Sequence, residues 1–255
     1  MKSLAIAGKG GTGKSTIAAA IVLELIARGE QPILAVDADP DSSLSLLLGL
    51  ETEGSIADLR EEVREEMSNF PPGMSKAHYV EAGLHQAIAE GDGFDLVTMG
   101  RGEGPGCYCY LNSLIKKFSD DLVSSYKWVV MDNEAGLEHI SRRTSGNVDA
   151  LITVVTENPL SLTCAAKIDQ VSSELKNAFY KRFVVSNMVR EDRRESIRKR
   201  AADLDMEYLC DIPFDPQLDD IIYNGHPLKE LKDDSPVRES IKQIVDKIGG
   251  NHGST

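Results

Sequence analysis

Cysteine is scarce in this chain, with four in 255 residues: Cys107, Cys109, Cys164 and Cys210. So few cannot staple a chain of this length, which excludes a disulfide scaffold and points to a reducing compartment. Long apolar runs are also missing. Nowhere do eighteen apolar residues follow one another, so no bilayer-spanning segment is expected. The opening MKSLAIAGKGG has a short apolar run that glycines and a lysine end before a signal-peptide core could form. Positive charge is in deficit, since Lys+Arg 28 against Asp+Glu 41 leaves a net charge of −13. An acidic surface repels phosphate backbones, so nucleic acid is not an expected partner unless a local basic patch intervenes. With neither a targeting nor a spanning segment, no membrane partner is expected and the expected location is cytoplasmic. The histidines at 78, 85, 139, 226 and 252 show no metal-ligand spacing. Repeats, low-complexity blocks and linkers are absent too.

What is present is a strand–helix rhythm. Short β-rich apolar runs occur at SLAIAG (3–8), PILAVD (32–37), FDLVTMG (94–100) and WVVMD (128–132). Three more follow at ALITVVT (150–156), RFVVSN (182–187) and EYLCDIP (207–213). Most are continuous rather than alternating, as in parallel strands buried on both faces. Helical stretches such as STIAAAIVLELIARG and SLTCAAKIDQVSSELKNAF separate them. The expected fold is a single α/β domain over 1–248, with a mostly parallel sheet of about seven strands and helices on both faces. Residues 51–92 break the rhythm as an insertion, with TEGSIADLREEVREEM and HYVEAGLHQAIAE both reading as helix around a turn-rich NFPPGMSK. The last helix, VRESIKQIVDKIGG, places Val237, Ile241, Ile244, Val245 and Ile248 at helical spacing, which predicts packing against the sheet. The tail 249–255 is expected to be disordered.

The strongest motif lies between the first strand and the first helix. GKGGTGKS, from Gly8 to Ser15, fits G-x-x-x-x-G-K-[ST]. Glycines at 8, 10, 11 and 13 let backbone N–H groups curl around phosphate oxygens, and the helix amino terminus adds its dipole. Thr12 and Thr16 belong to the same cradle. Lys14 neutralises β- and γ-phosphates, and the Ser15 hydroxyl helps to hold Mg²⁺. AVDADPD puts Asp37 and Asp39 at the carboxyl end of the second strand, where α/β sheets bind ligands. WVVMDNEAG supplies Asp132 after an apolar run, the pattern of a Walker B acid near the metal. Asp also caps strand ends and turns without any catalytic role.

Lys9, directly after the first glycine, makes the loop resemble that of the deviant Walker A ATPases. This family includes nitrogenase iron protein, cell-division and partition ATPases, and metal-insertion ATPases. The resemblance implies an ATP-hydrolysing enzyme in which Lys9 reaches across a nucleotide-sandwich homodimer to the partner's phosphates. It further implies that Asp39 orients the attacking water, that Asp37 supports the Mg²⁺ shell and that the Gly136 amide senses the γ-phosphate. Asn187 would meet the adenine amino group, with Pro213 and Asp215 in the matching later loop. The asparagine-lysine-x-aspartate tetrad of GTPases is absent, since SNMV follows instead, and adenine is favoured.

The pair Cys107-Tyr108-Cys109 remains. A disulfide across one residue is strained, and two thiolates fill half of a tetrahedral shell. Gly104, Pro105 and Gly106 favour a turn, in which both sulfurs can converge. A two-fold dimer would then bring four sulfurs to one ion. From spacing alone, two metal-free thiols beside tyrosines are an equal reading. Cys164 in a helix and Cys210 in a strand are read as core residues. MGRGEGPGCYCYLN together with MDNEAGLEHISRRT is similar to the CooC group, accessory ATPases that mature nickel carbon monoxide dehydrogenase, with a sister branch serving acetyl-CoA synthase. The resemblance implies Ni²⁺ (or Zn²⁺) at Cys107 and Cys109, shared by two subunits, and one of those apo-enzymes as client. His139, in GLEHISRR, is read equally as a link between the 132–144 stretch and the dimer face or as a satisfied surface histidine. Two other classes stay open: a positioning or partition ATPase, and an iron–sulfur reductase.

Overall fold

The computed structural model describes residues 1–39, 43–65, 75–100, 123–134, 148–175 and 179–250. Eight strands form one sheet, in the order β3-β4-β2-β5-β1-β6-β7-β8. They are β1 (Lys2–Gly8), β2 (Ile33–Ala38), β3 (Ile88–Glu90), β4 (Phe94–Thr98), β5 (Trp128–Asn133), β6 (Val148–Val155), β7 (Phe179–Asn187) and β8 (Glu207–Ile212). All neighbours run parallel except β3, which pairs antiparallel with β4. The seven expected runs are thus all strands; the inner ones, buried on both faces, have no polar side to alternate with, whereas the edge strand β8 buries only Cys210 and Ile212. β1 sits in the middle, and the chain proceeds from it first to one side, through β2 and β4, and later to the other, through β6 to β8. A reversal of this kind opens a crevice at the carboxyl ends of the central strands.

Two departures from expectation have local causes. HYVEAGLHQAIAE reads as helix throughout, but α4 (Lys76–Gln86) ends within it and Ile88–Glu90 form the eighth strand. The reason is the Gly91-Asp92-Gly93 reversal: Gly91 N–H donates to Phe94 O at 2.8 Å, and Gly93 takes φ 87°. That turn returns the chain alongside β4, pairing Ile88 with Val97. Likewise, the helix expected to run to Phe179 ends at Glu174, and Phe179 opens β7 opposite Val148.

The helices cover both faces. On one side α1 (Lys14–Ala27), α2 (Leu44–Leu48) and the last helix, labelled α8 (Pro236–Gly249), bury Ile21, Leu25, Leu44, Ile241 and Ile244 with Leu4, Ile6, Ile152 and Phe183 of the sheet. On the other, α3 (Ile56–Glu65) and α4 bury Leu59, Val63, Val80 and Leu84 with Ala5, Leu34 and Met131. The acidic insertion is therefore a roof over the second face, joined there by α5 (Pro159–Glu174). α6 (Glu191–Ala201) contributes Ile197 and Ala201 to a third cluster with Leu162 and Val184, and α7 (Pro216–Tyr223) precedes a 3₁₀ turn at Leu228–Glu230.

The five apolar residues expected to pack in α8 are all buried. Arg28 at the end of α1 holds this helix, bonding Glu24 Oε1 at 2.6 Å, the Asp246 carboxylate, and Lys242 O at 3.2 Å. Among the described residues no helix is long and apolar enough to cross a membrane. Because Ile244 is fully buried, Ile244→Ala should destabilise the fold by about 3 kcal/mol. Urea unfolding should show a lower midpoint at unchanged slope.

Candidate functional site

The glycine loop joins the central strand to α1, and its geometry follows from the residues around it. Gly8 (φ 151°) passes so close to β6 that a Cβ would meet Val154 O at 2.6 Å. Gly13 (φ 89°) caps α1 in the left-handed region, and a Cβ there would strike Asn187 Nδ2 at 2.3 Å. Thr12 is buried and closes the loop on itself, its N–H and Oγ1 both donating to Lys9 O, at 3.2 and 2.8 Å. Gly10 and Gly11 are exposed, and nothing lies within 4 Å of a Cβ built on either. Helix α1 begins without a side-chain cap and without an acid in its first turn. Its leading N–H groups, with the field of the helix behind them, are thus left to an anion from outside.

Lys14, Ser15 and Thr16 form the first turn of α1. Lys14 is almost wholly buried, with Nζ 3.6 Å from Asp39 Oδ2. Lys9 is half-exposed. The carboxylates come from the neighbouring strands. Asp37 on β2 and Asp132 on β5 are register partners, so their side chains lie side by side on one sheet face. Both are fully buried. Asp37 accepts from Leu44 N–H at 3.0 Å and Asp39 N–H at 3.2 Å, yet burial still pushes its carboxyl up to about 6. Burial pushes Asp132 further, to about 7. The Ser15 hydroxyl opposes that shift and the neighbouring Asp37 charge adds to it. Neither Asp132 oxygen has a hydrogen-bond partner, so Ser15 is near without meeting bonding geometry. An unpartnered buried carboxylate, a serine hydroxyl and a second carboxylate are all hard oxygen donors, which fit Mg²⁺.

Two polar groups were not picked out from the sequence. Thr98 ends β4 as the register partner of Asp37, with Oγ1 buried and unpaired. Asn133 follows Asp132, and its Nδ2 donates to Ile6 O and Met131 O, each at 3.2 Å. The available signal was a polar residue closing an apolar run, which many strands share.

Asn187 at the end of β7 donates from Nδ2 to Thr12 O at 2.9 Å, bracing the glycine loop. Its Oδ1 remains an acceptor. Met188 N–H bonds Ile212 O at 2.9 Å and ties this strand end to the loop that carries Pro213. Asp215 faces inward: Oδ1 accepts from Gln217 N–H at 2.9 Å, and Oδ2 from Ser235 Oγ at 2.5 Å. It thereby caps α7 and anchors the start of α8. Cys210 is buried, as expected of a core thiol, and Cys164 is half-buried on α5. Gly136, His139, Cys107 and Cys109 lie outside the described residues. Among the described residues no group of three or more His, Cys, Asp or Glu side chains is arranged to hold a metal ion.

Comparison with known proteins agrees with this geometry. An uncharacterized ATP-binding protein of Methanocaldococcus jannaschii is 36% identical over 96% of this chain and 97% of its own length. The carbon monoxide dehydrogenase accessory protein CooC of Rhodospirillum rubrum is 31% identical, over 68% of this chain and 69% of its own. Among solved structures, the MinC:MinD cell division protein complex of Aquifex aeolicus contains a chain that superimposes with a TM-score of 0.72. That match has 20% identity and covers 100% of this chain and 98% of the other. Residues 4–228 match the CobQ/CobB/MinD/ParA nucleotide binding domain. The chain therefore belongs to that family of P-loop ATPases.

Proposed function

We propose that this chain is a Mg²⁺-dependent ATPase that dimerises with nucleotide and handles a metal ion, nickel or zinc, for a carbon monoxide dehydrogenase or acetyl-CoA synthase. The catalytic half is carried by one observation: an uncapped helix end bearing Lys14 and Ser15 faces Asp39 and the buried pair Asp37–Asp132. In this reading the loop from Gly8 to Thr16 wraps the phosphates, and Lys14 offsets their charge. Ser15, Asp37 and Asp132 would hold Mg²⁺, directly or through water, which when bound would supply positive charge to the β- and γ-phosphates. Asp39 orients the attacking water, Lys9 crosses to the partner's phosphates and the Gly136 amide responds to the γ-phosphate. Asn187 Oδ1 accepts from the adenine amino group, while Pro213 lines the base and Asp215 steadies its loop.

The metal half rests on Cys107-x-Cys109, together with the 31%-identical CooC relative. Each protomer supplies two thiolates and the partner supplies the other two, so the cargo ion is held only while two chains are paired. Soft thiolates accept Ni²⁺, Zn²⁺ and Cu⁺ alike, so loading depends on supply as well as affinity. Hydrolysis loosens the closed dimer and passes the ion to the client.

The second reading is a positioning ATPase, supported by the fold shared with MinD. It uses the same nucleotide chemistry on a membrane or DNA and needs no cargo ion. Buried α8 does not offer such a surface, since its apolar face is spent on α1 and the sheet.

Cys107→Ser should abolish stoichiometric nickel or zinc binding and metal-dependent dimerisation while ATP binding stays within about twofold, since the thiol lies outside the phosphate loop. Metal analysis with sizing chromatography, with and without ATP, reads both. Unchanged metal content, with ATP-dependent cosedimentation on liposomes or DNA, would favour the positioning reading.

The carboxyl pair makes a second measurement possible. Asp37 and Asp132 bind protons more tightly in the fold (about 6 and about 7) than in an unfolded chain, where Asp titrates near about 3.9. Their contribution to nucleotide-free stability is therefore full below about pH 4 and is lost as pH rises through about 7. Mg²⁺ needs the ionised forms, so its binding should strengthen over that interval and release protons, seen by calorimetry in buffers of different ionisation enthalpy. Asp132→Asn removes the buried charge. It should raise the melting temperature of the empty protein at pH 8 by roughly 5–10 °C and abolish hydrolysis.

A further inference from the structure

The lysine of the phosphate loop already has a counter-ion. Lys14 Nζ and Asp39 Oδ2 are 3.6 Å apart, with the two side chains only 4% and 17% exposed. Water screens such a pair less than one on the surface. Asp37 and Asp132 lie near the ends of neighbouring strands, and among the described residues Asp39 is the carboxylate within ion-pair distance of Lys14. Asp39 also occupies a mechanically distinct place. Asp37 is fixed in β2 and held by two backbone N–H groups, whereas Asp39 follows the last residue of β2, at the root of the connection to α2. Its own N–H is one of the two donors to Asp37.

We infer that Asp39 is an internal anion that occupies Lys14 in the empty protein, so that a polyphosphate must exchange one counter-ion for another. The inference rests on the reading of the glycine loop as a phosphate cradle. A β-phosphate brings more charge than a carboxylate and gains the leading N–H groups of α1 as well, so it wins the lysine. The displaced carboxylate is then repelled by the phosphate oxygens. Two consequences follow. Part of the attraction between lysine and phosphate is spent in breaking the existing pair, which lowers nucleotide affinity. And the carboxylate read above as orienting the attacking water is held on Lys14 until phosphates arrive. Occupancy by polyphosphate therefore releases this carboxylate from Lys14.

The test is titration calorimetry of the full chain and of Asp39→Asn with ADP, pyrophosphate and AMP, all in excess EDTA so that no metal links residue 39 to the ligand. Asp39→Asn keeps the shape and removes the charge, and thermal melting checks that it folds. It should bind ADP and pyrophosphate about tenfold more tightly, the worth of a partly buried ion pair, with AMP affinity unchanged within about twofold because AMP brings no β-phosphate to Lys14. Asp39→Glu, which keeps the charge, should show no such gain. Unchanged or weaker ADP binding by Asp39→Asn overturns the inference. So does a gain shared equally by AMP, which would mean general relief of negative charge. A wild-type chain that binds ADP with no gain on Asp39→Asn removes this inference alone. A wild-type chain that takes up no ADP removes the phosphate-cradle reading and the inference with it.

Discussion

Two aspartates that share a register position in the middle of an apolar sheet set the terms for everything around them. Asp37 and Asp132 are adjacent, fully buried and of like charge, an arrangement that costs free energy unless a proton or a cation neutralises it. The fold offers Asp37 two backbone N–H groups and Asp132 no hydrogen bond at all. A domain selected only for stability would place apolar residues there, as it does one step away on the same sheet face, where Ile6, Ile152 and Phe183 continue the row. The cost is tolerable because the surrounding sheet is parallel, covered on both sides and anchored far from the crevice.

That anchoring explains how the strain is confined. α1 carries the phosphate loop at one end, and its other end is clamped through Arg28 to Glu24 and the last helix. α1 is thus held by its carboxyl end and its apolar face, which leaves its amino terminus free of caps and open to a ligand. The loop itself is braced from outside by Asn187 and from inside by Thr12, both on backbone carbonyls. A cradle held in this manner needs little reorganisation when an anion enters, and preorganised N–H groups gain most in a dry crevice.

Much of this was legible in the residue order, for physical reasons. Strands buried on both faces must be continuous apolar runs, so the inner long strands were visible, and the edge strand β8 was visible as a short apolar stretch. The glycine loop was visible because its chemistry needs backbone freedom at fixed spacings. β3 was hidden, since three residues carry no periodicity and the preceding helix pattern runs into them. The end of α5 was hidden for a similar reason: Phe179 continues a helical pattern, but pairing with Val148 decides its state. The internal bonds of the site could not be read at all. That Asn187 reaches Thr12, that Asp215 turns inward to Ser235 and that Asp39 reaches Lys14 are tertiary facts between residues 20 to 175 positions apart. Sequence shows which groups are present, while the crossing of the chain at β1 decides which of them meet.

Charge then links the crevice to the proposed cargo chemistry. The described site holds hard oxygen donors around one lysine and one serine, a set suited to Mg²⁺ and ill suited to a soft ion. The two thiols available for a soft ion, Cys107 and Cys109, belong to a different stretch of chain, between β4 and β5. Both bounding strands flank β2 in the sheet, and β2 and β5 carry the two buried carboxylates. A segment strung between β4 and β5 is therefore joined at one end to the strand that carries Asp132 and at the other to the neighbour of the strand that carries Asp37. In the reading proposed above, Mg²⁺ and the cargo ion call for different donor chemistries, hard oxygen for one and soft sulfur for the other, so neither donor set has to serve both metals.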